Sequence, residues 1–169
     1  MLVISGCTSI PLSSMLKMAT FGDDKLLAVE PSQVRVRLSV TSPAELQTKD
    51  VRLVLKFEHK GKKDSEYKYR LKLIETSLVD PITGWFTNQP KKFRYDFKLE
   101  SLSRLEFKRL QKEMVERGSP DRYYWTVYYH LKNKVPEGSK IVIDLELKLA
   151  IEDDFFYLLK DAPMVVNTH

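Results

Sequence analysis

In six separate stretches of this chain, apolar and polar side chains alternate with a period of two. That pattern admits little besides antiparallel β-structure. The longest stretch lies near the carboxy terminus, where Ile141, Ile143, Leu145, Leu147, Leu149 and Ile151 alternate with Val142, Asp144, Glu146 and Lys148. A period of two puts one set on the inner face of a pleated strand and the other set in water. Val34, Val36, Leu38 and Val40 alternate in the same way with Arg35, Arg37 and Ser39. So do residues 51–58, and Tyr67, Tyr69, Leu71 and Leu73 alternate with Lys68, Arg70 and Lys72. A strand over 93–99 carries Phe93, Tyr95, Phe97 and Leu99 inward, and the sixth, 122–132, is the most aromatic. Turn chemistry separates them: Ser42-Pro43, a charged hairpin turn at Lys60-Gly61-Lys62-Lys63-Asp64, Asp80-Pro81-Ile82-Thr83-Gly84, and Pro136-Glu137-Gly138-Ser139.

One stretch switches to helical spacing. Ser103-Arg104-Leu105-Glu106 reads as a capping box, with Leu102 and Phe107 as a hydrophobic staple and Leu110 and Met114 continuing the apolar face. Gly118 is the expected left-handed terminator and Pro120 bars continuation, so the helix covers about 104–117. A shorter amino-terminal helix is expected over 15–21, opened by Ser13-Ser14 and closed by Gly22. Residues 23–32 read as a connection, 78–90 as the longest irregular stretch, and Phe155-Phe156-Tyr157-Leu158-Leu159 as a last apolar packing segment. Residues after Pro163 are expected to fray. Six strands with hairpin-length turns and one inserted helix predict a mainly β fold, an antiparallel β-sandwich of immunoglobulin or transthyretin type. The strands at 35–41 and 140–152 are expected to be central. The 169 residues suit one such domain over 23–169.

Little in the sequence points to catalysis. The three histidines, His59, His130 and His169, sit at no metal-ligand spacing from one another or from the lone Cys7. Nucleophile-elbow and phosphate-loop patterns are absent. The carboxylate pairs Asp23-Asp24 and Asp153-Asp154 read as solvated turns. No cofactor and no metal are expected, and the chain is not expected to be an enzyme.

Binding is better represented. On the aromatic strand, Tyr124, Thr126, Tyr128 and His130 share one face, while Tyr123, Trp125, Val127, Tyr129 and Leu131 share the other. The expectation is that both faces are covered, one by the opposing sheet and one by the helix. A face left open would present Tyr124 and Tyr128 for stacking on sugars, peptides or bases. Trp85 and Phe86, adjacent in the long loop, form the second candidate surface. Arg35, Arg37, Arg52, Lys56, Lys68, Arg70 and Lys72 fall on outer strand faces and would make a positive surface if those strands are neighbours. A solvated sheet face, interrupted by Glu58, Glu66 and Glu75, is the plainer reading. The net charge of +5 favours contact with phospholipid headgroups, lipopolysaccharide or nucleic acid, or simply serves solubility.

The amino terminus supplies an address. Leu2-Val3-Ile4-Ser5-Gly6-Cys7 places an aliphatic residue, a small residue and glycine before the only cysteine in the chain. Ile4-Ser5-Gly6-Cys7 resembles the lipobox of bacterial lipoproteins. The resemblance implies cleavage between Gly6 and Cys7 and acylation of Cys7, with residues 1–6 a signal-peptide remnant and 7–22 a tether. Three acyl chains would hold such a protein firmly where one would not. The family's basic start and longer apolar run are missing before Cys7, so Met1 is expected to be an internal or trimmed start. Thr8 stands where an inner-membrane retention signal would place Asp, which favours the periplasmic face of the outer membrane. The small lipoproteins of type VI secretion systems are also similar in outline, a β-sandwich with an added helix behind an acylated cysteine. The functional expectation is a non-enzymatic, lipid-anchored binding or scaffold module with a protein or envelope partner. The alternative is a soluble basic β-domain for single-stranded nucleic acid.

Overall fold

The computed structural model describes residues 23–61, 63–85, 88–136 and 138–164. The expected helix at 15–21, the lipobox and the residues after Met164 lie outside these. The elements, in chain order, are α1 (Asp23–Ala28), β1 (Arg35–Thr41), β2 (Leu46–Glu58), β3 (Ser65–Val79), β4 (Ile82–Thr83), β5 (Asn88–Gln89), β6 (Lys92–Leu99), α2 (Ser101–Arg117), β7 (Arg122–Leu131), β8 (Ile141–Lys148) and β9 (Phe156–Met164). Seven strands form one curled antiparallel sheet in the order β7-β2-β3-β6-β1-β8-β9, and β4 pairs with β5 alone.

The long strand β3 makes the curl. Its first half pairs with β2, from Arg52 opposite Arg70 to Phe57 opposite Ser65. Its second half pairs with β6, from Leu71 opposite Leu99 to Val79 opposite Lys92, with a register shift between Leu73 and Glu75. The inward faces of both halves meet in one core. Val36, Leu38 and Val40 of β1, Leu53, Leu55 and Phe57 of β2, Tyr95, Phe97 and Leu99 of β6, and Ile143, Leu145 and Leu147 of β8 are all buried there. Phe107 of α2 joins it, fully buried between Tyr69 (ring centroids 5.2 Å apart) and Trp125 (6.2 Å, stacked).

Several expectations need correction. Residues 23–28 are helical rather than a connection, because Leu26 and Val29 enter the core and the Gln111 side-chain amide of α2 bonds the carbonyls of Leu26, Leu27 and Val29 at 3.0, 3.2 and 2.8 Å. The apolar segment at 155–159 belongs largely to a seventh strand, β9, hydrogen-bonded along β8. The expected irregular stretch 78–90 holds the end of β3 and the β4–β5 hairpin. Strand β8 ends at Lys148, so Ile151 is 70% exposed rather than inward.

The helix is where predicted, but its ends are built differently. It starts at Ser101 with Glu100 at the N-cap, and no side chain caps it. Ser103 is buried inside the first turn, where its Oγ accepts a 2.8 Å hydrogen bond from the Arg70 amide, while the Arg70 carbonyl accepts from the Glu100 amide at 3.0 Å. Arg70 sits where β3 passes from β2 to β6, so the helix start satisfies the peptide group at that corner. The hydrophobic staple is absent too, since Leu102 is 73% exposed while Phe107 is buried. Gly118 does end the helix with a positive φ of 91°, but its ψ of 161° is extended rather than left-handed helical.

Candidate binding surfaces

Two outward faces collect the polar and aromatic residues that the core leaves over. The first lies on β7, β2 and β3. Opposite positions there are Tyr124, Lys56 and Glu66 in one row, Thr126, Val54 and Lys68 in the next, and Tyr128, Arg52 and Arg70 in the third. Tyr124 and Tyr128 are 41% and 52% exposed, so the expectation that both faces of this strand are covered fails. The reason is that α2 packs on the Trp125 side, through Phe107, and so shares the inner face with the core. The cations beside the tyrosines are already engaged. Lys56 pairs with Asp64 at 3.1 Å, Arg52 with Asp50 at 3.0 Å and Lys68 with Glu66 at 3.0 Å. Tyr124 itself donates to Glu58 at 3.2 Å.

The second face lies on β6, β1, β8 and the far half of β3. Strand order matters here: β6 separates β1 from β3, so the basic residues of β1 do not lie directly beside those of β2 and β3. What forms instead is a row the strand patterns could not disclose. Lys72 lies opposite Lys98, Lys98 opposite Arg35, and Arg35 opposite Lys148. Four cations thus follow one another across four strands about 4.8 Å apart. Arg35 bonds the carbonyls of Ser32 (2.7 Å) and Val34 (2.9 Å). Among the described residues, no carboxylate lies within ion-pair distance of Lys72, Lys98 or Lys148. A groove of about 270 Å³ runs beside them, lined by Gln33, Arg35, Lys148 and Asp96 with Ile74, Ile151 and Phe155 as its apolar wall.

The neighbouring row is saturated internally. Arg37 grips Asp96 bidentately, Nε to Oδ1 at 2.7 Å and Nη2 to Oδ2 at 2.9 Å, and its guanidinium lies 3.9 Å from the Phe155 ring centre. That hydrogen bond raises the affinity of Arg37 for its proton, against the opposing effect of burial. Glu146, opposite Arg37 on β8, is buried, and burial raises its pKa while the charges of Arg37 and Arg94 pull it back.

Of the sequence candidates, Trp85 stands fully exposed between β4 and β5, while Phe86 and Cys7 lie outside the described residues. Trp85 follows the carboxy-terminal end of β3, whereas the Tyr124 row crosses β3 at Glu66, near its start. The two aromatic candidates therefore do not share a site. Among the described residues no three His, Cys, Asp or Glu side chains, His59 and His130 included, gather as a metal site. No described helix is long and apolar enough to cross a membrane. No protein-family model, curated protein or solved structure matches this chain.

Proposed function

We propose that this chain is a non-enzymatic module of the bacterial envelope, anchored through an acylated Cys7 at the periplasmic face of the outer membrane. It would act as a binding or scaffold protein for an anionic protein or envelope component. The body is read as a β-sandwich, its layers being the β7-β2-β3 half and the β3-β6-β1-β8-β9 half, joined through β3. The lipobox-like Ile4-Ser5-Gly6-Cys7 supports the anchor. The observation that carries the binding role is the row Lys72, Lys98, Arg35 and Lys148. Like charges set directly opposite one another are unfavourable in a sheet, and an external anion relieves that repulsion. The groove wall of Ile74, Ile151 and Phe155 adds apolar contact beside the charge.

Two measurements test the two halves of this reading. With the chain expressed from its own reading frame, palmitate is incorporated and lost in Cys7→Ala, and the protein fractionates with outer membranes. An unlabelled native chain in the soluble fraction overturns the anchor. Retention on anionic vesicles falls with salt and with Lys98→Glu/Lys148→Glu if the row is the contact. The exposed Tyr124 and Tyr128 favour a second reading, single-stranded nucleic acid binding. Salt-dependent retention on a single-stranded column, abolished in Tyr124→Ala, would select it.

A further inference from the structure

The two edges of the main sheet are treated differently. At one edge, β9 carries the usual protections against pairing. Pro163 removes an amide, Asp161 adopts a positive φ of 50°, and the register against β8 shifts twice, between Ile143 and Leu145 and between Leu145 and Glu146. Kinks, proline and charge are how sheets blunt an exposed edge. The other edge, β7, is far less guarded. Its ten residues contain neither proline nor glycine nor a positive φ, and its only formal charge is Arg122 at the first position. Its one register shift against β2 falls between Gln47 and Arg52, beyond Tyr128, and the pairing is continuous from Arg52–Tyr128 to Glu58–Arg122. Among the described residues no strand pairs with its outer side. Alternate residues of such a strand turn their amides and carbonyls away from the sheet, ready to bond a further strand.

The sequence of β7 says what kind of strand would fit. It is nearly symmetric about Thr126: Trp125 is matched by Val127, Tyr124 by Tyr128, and Arg122 by His130. In an antiparallel pair of two copies centred on Thr126, every residue meets its symmetry mate's counterpart. Thr126 faces Thr126, Tyr124 faces Tyr128 twice, and Trp125 faces Val127 twice. Aromatic–aromatic and aromatic–β-branched pairs are among the favourable cross-strand combinations. No like charges are brought opposite one another. A closed two-fold interface requires a self-complementary patch, and this strand is one.

We propose that two copies of this chain associate through β7, in antiparallel register about a two-fold axis at Thr126, joining the two seven-stranded sheets into one. The inference does not depend on the envelope reading, since it concerns the β7 edge rather than the cation row on β3, β6, β1 and β8 and can be tested without the lipid.

The test uses the full chain carrying Cys7→Ser, so that no other thiol is present. Sedimentation or light scattering at rising concentration should show passage from the 19.7 kDa monomer to twice that mass. Thr126→Lys places two cations on the axis at an exposed position, and should abolish the dimer while leaving circular dichroism and the thermal midpoint unchanged. Directly opposed residues in an antiparallel pair have Cα atoms about 4.5–5.5 Å apart, within disulfide reach. Thr126→Cys should therefore cross-link to its own copy on oxidation. Tyr124→Cys alone should not, while Tyr124→Cys/Tyr128→Cys should. If Thr126→Lys fails to fold, the cross-linking pattern decides. A chain that stays monomeric at every concentration, a dimer indifferent to Thr126→Lys, or equal cross-linking through Tyr124→Cys and Thr126→Cys overturns the proposal. So does capture by β7 of an extended segment of some other protein with no self-association.

Discussion

Lys92 on β6 reaches diagonally over β1 to the carboxylate of Asp144 on β8, and both side chains are nearly withdrawn from solvent, at 12% and 10% exposure. The span is possible because the β1 residues beneath it, Thr41 opposite Lys92 and Ser39 opposite Asp144, are small and buried. Asp144 also accepts from the Asp161 amide at 2.8 Å, so one carboxylate ties β6, β8 and β9 together.

Removing one partner should therefore cost more than a surface ion pair. Lys92→Met leaves Asp144 partly desolvated without its cation, and is expected to destabilise the fold by about 3 kcal/mol in urea denaturation. Lys92→Met/Asp144→Asn should recover part of that loss, because no unpaired charge then remains. The pKa of Lys92 is raised: burial lowers it, but the hydrogen bond that Lys92 donates to Asp144 and the charges of Asp144 and Asp161 outweigh that effect. A raised folded value means the stabilisation is present at neutral pH and lost as pH climbs through the folded pKa of the lysine. The wild type should weaken in strongly alkaline solution more than Lys92→Met does.

Glu146 carries the opposite sign at neutral pH. Burial raises its pKa, and Asp144 and Asp96 add repulsion, while Arg37 and Arg94 compensate only in part. The folded state then binds a proton more tightly than the unfolded chain does. Its contribution is favourable below the ordinary glutamate range and is lost as pH rises through the folded value. Glu146→Gln should raise the thermal midpoint at pH 7, and the advantage over wild type should close as the solution is acidified towards pH 4. A midpoint difference independent of pH would count against this account.

Tyr69 is a clean test of an uncompensated polar group. Its hydroxyl is buried beside Phe107 with no hydrogen-bond partner among the described residues, and burial pushes its pKa well up. An unsatisfied buried hydroxyl costs on the order of 1–3 kcal/mol. Tyr69→Phe keeps the ring contacts and should stabilise the protein by about 1 kcal/mol in chemical denaturation.

Much of the architecture was legible because burial imposes a period. Val36, Leu38 and Val40, or Ile143, Leu145 and Leu147, announce their strands by alternation alone. What local pattern cannot carry is who pairs with whom. That Lys98 and Lys148 flank Arg35 follows from strand order, which no single stretch encodes, so the basic row went unseen. Likewise β9 hid behind a run of adjacent apolar residues, with Pro163 and Asp161 disguising the strand. The capping box misled for a related reason. Serine three residues before glutamate fits a helix start, but Ser103 answers a distant need, the Arg70 amide at the corner of β3.

That reassignment of Ser103 can be checked directly. A true N-cap position accepts Asp as readily as Ser, since either side chain bonds the first-turn amides. Ser103 instead lies buried, bonding one amide of another element. Ser103→Ala should cost about 1–2 kcal/mol by orphaning the Arg70 amide. Ser103→Asp should cost at least as much, because it buries a charge in a site sized for a hydroxyl. Equal stability of Asp and Ser variants would restore the capping role.

The basic row makes a prediction in which stability and binding move in opposite directions. Lys72, Lys98, Arg35 and Lys148 repel one another across neighbouring strands, each directly opposed like-charge pair being unfavourable by a few tenths of a kcal/mol or more. Lys98→Glu sits between Lys72 and Arg35, so it converts two repulsions into two attractions. Its thermal midpoint should rise slightly, with a gain of about 0.5 kcal/mol that shrinks as salt is added. Retention on anionic vesicles should fall in the same variant. Lys134→Glu, at an exposed position outside the row and its strands, should leave both nearly unchanged. A residue that merely supports the fold would lose stability and binding together. Only a surface whose cations are held for an outside anion should gain the one while losing the other.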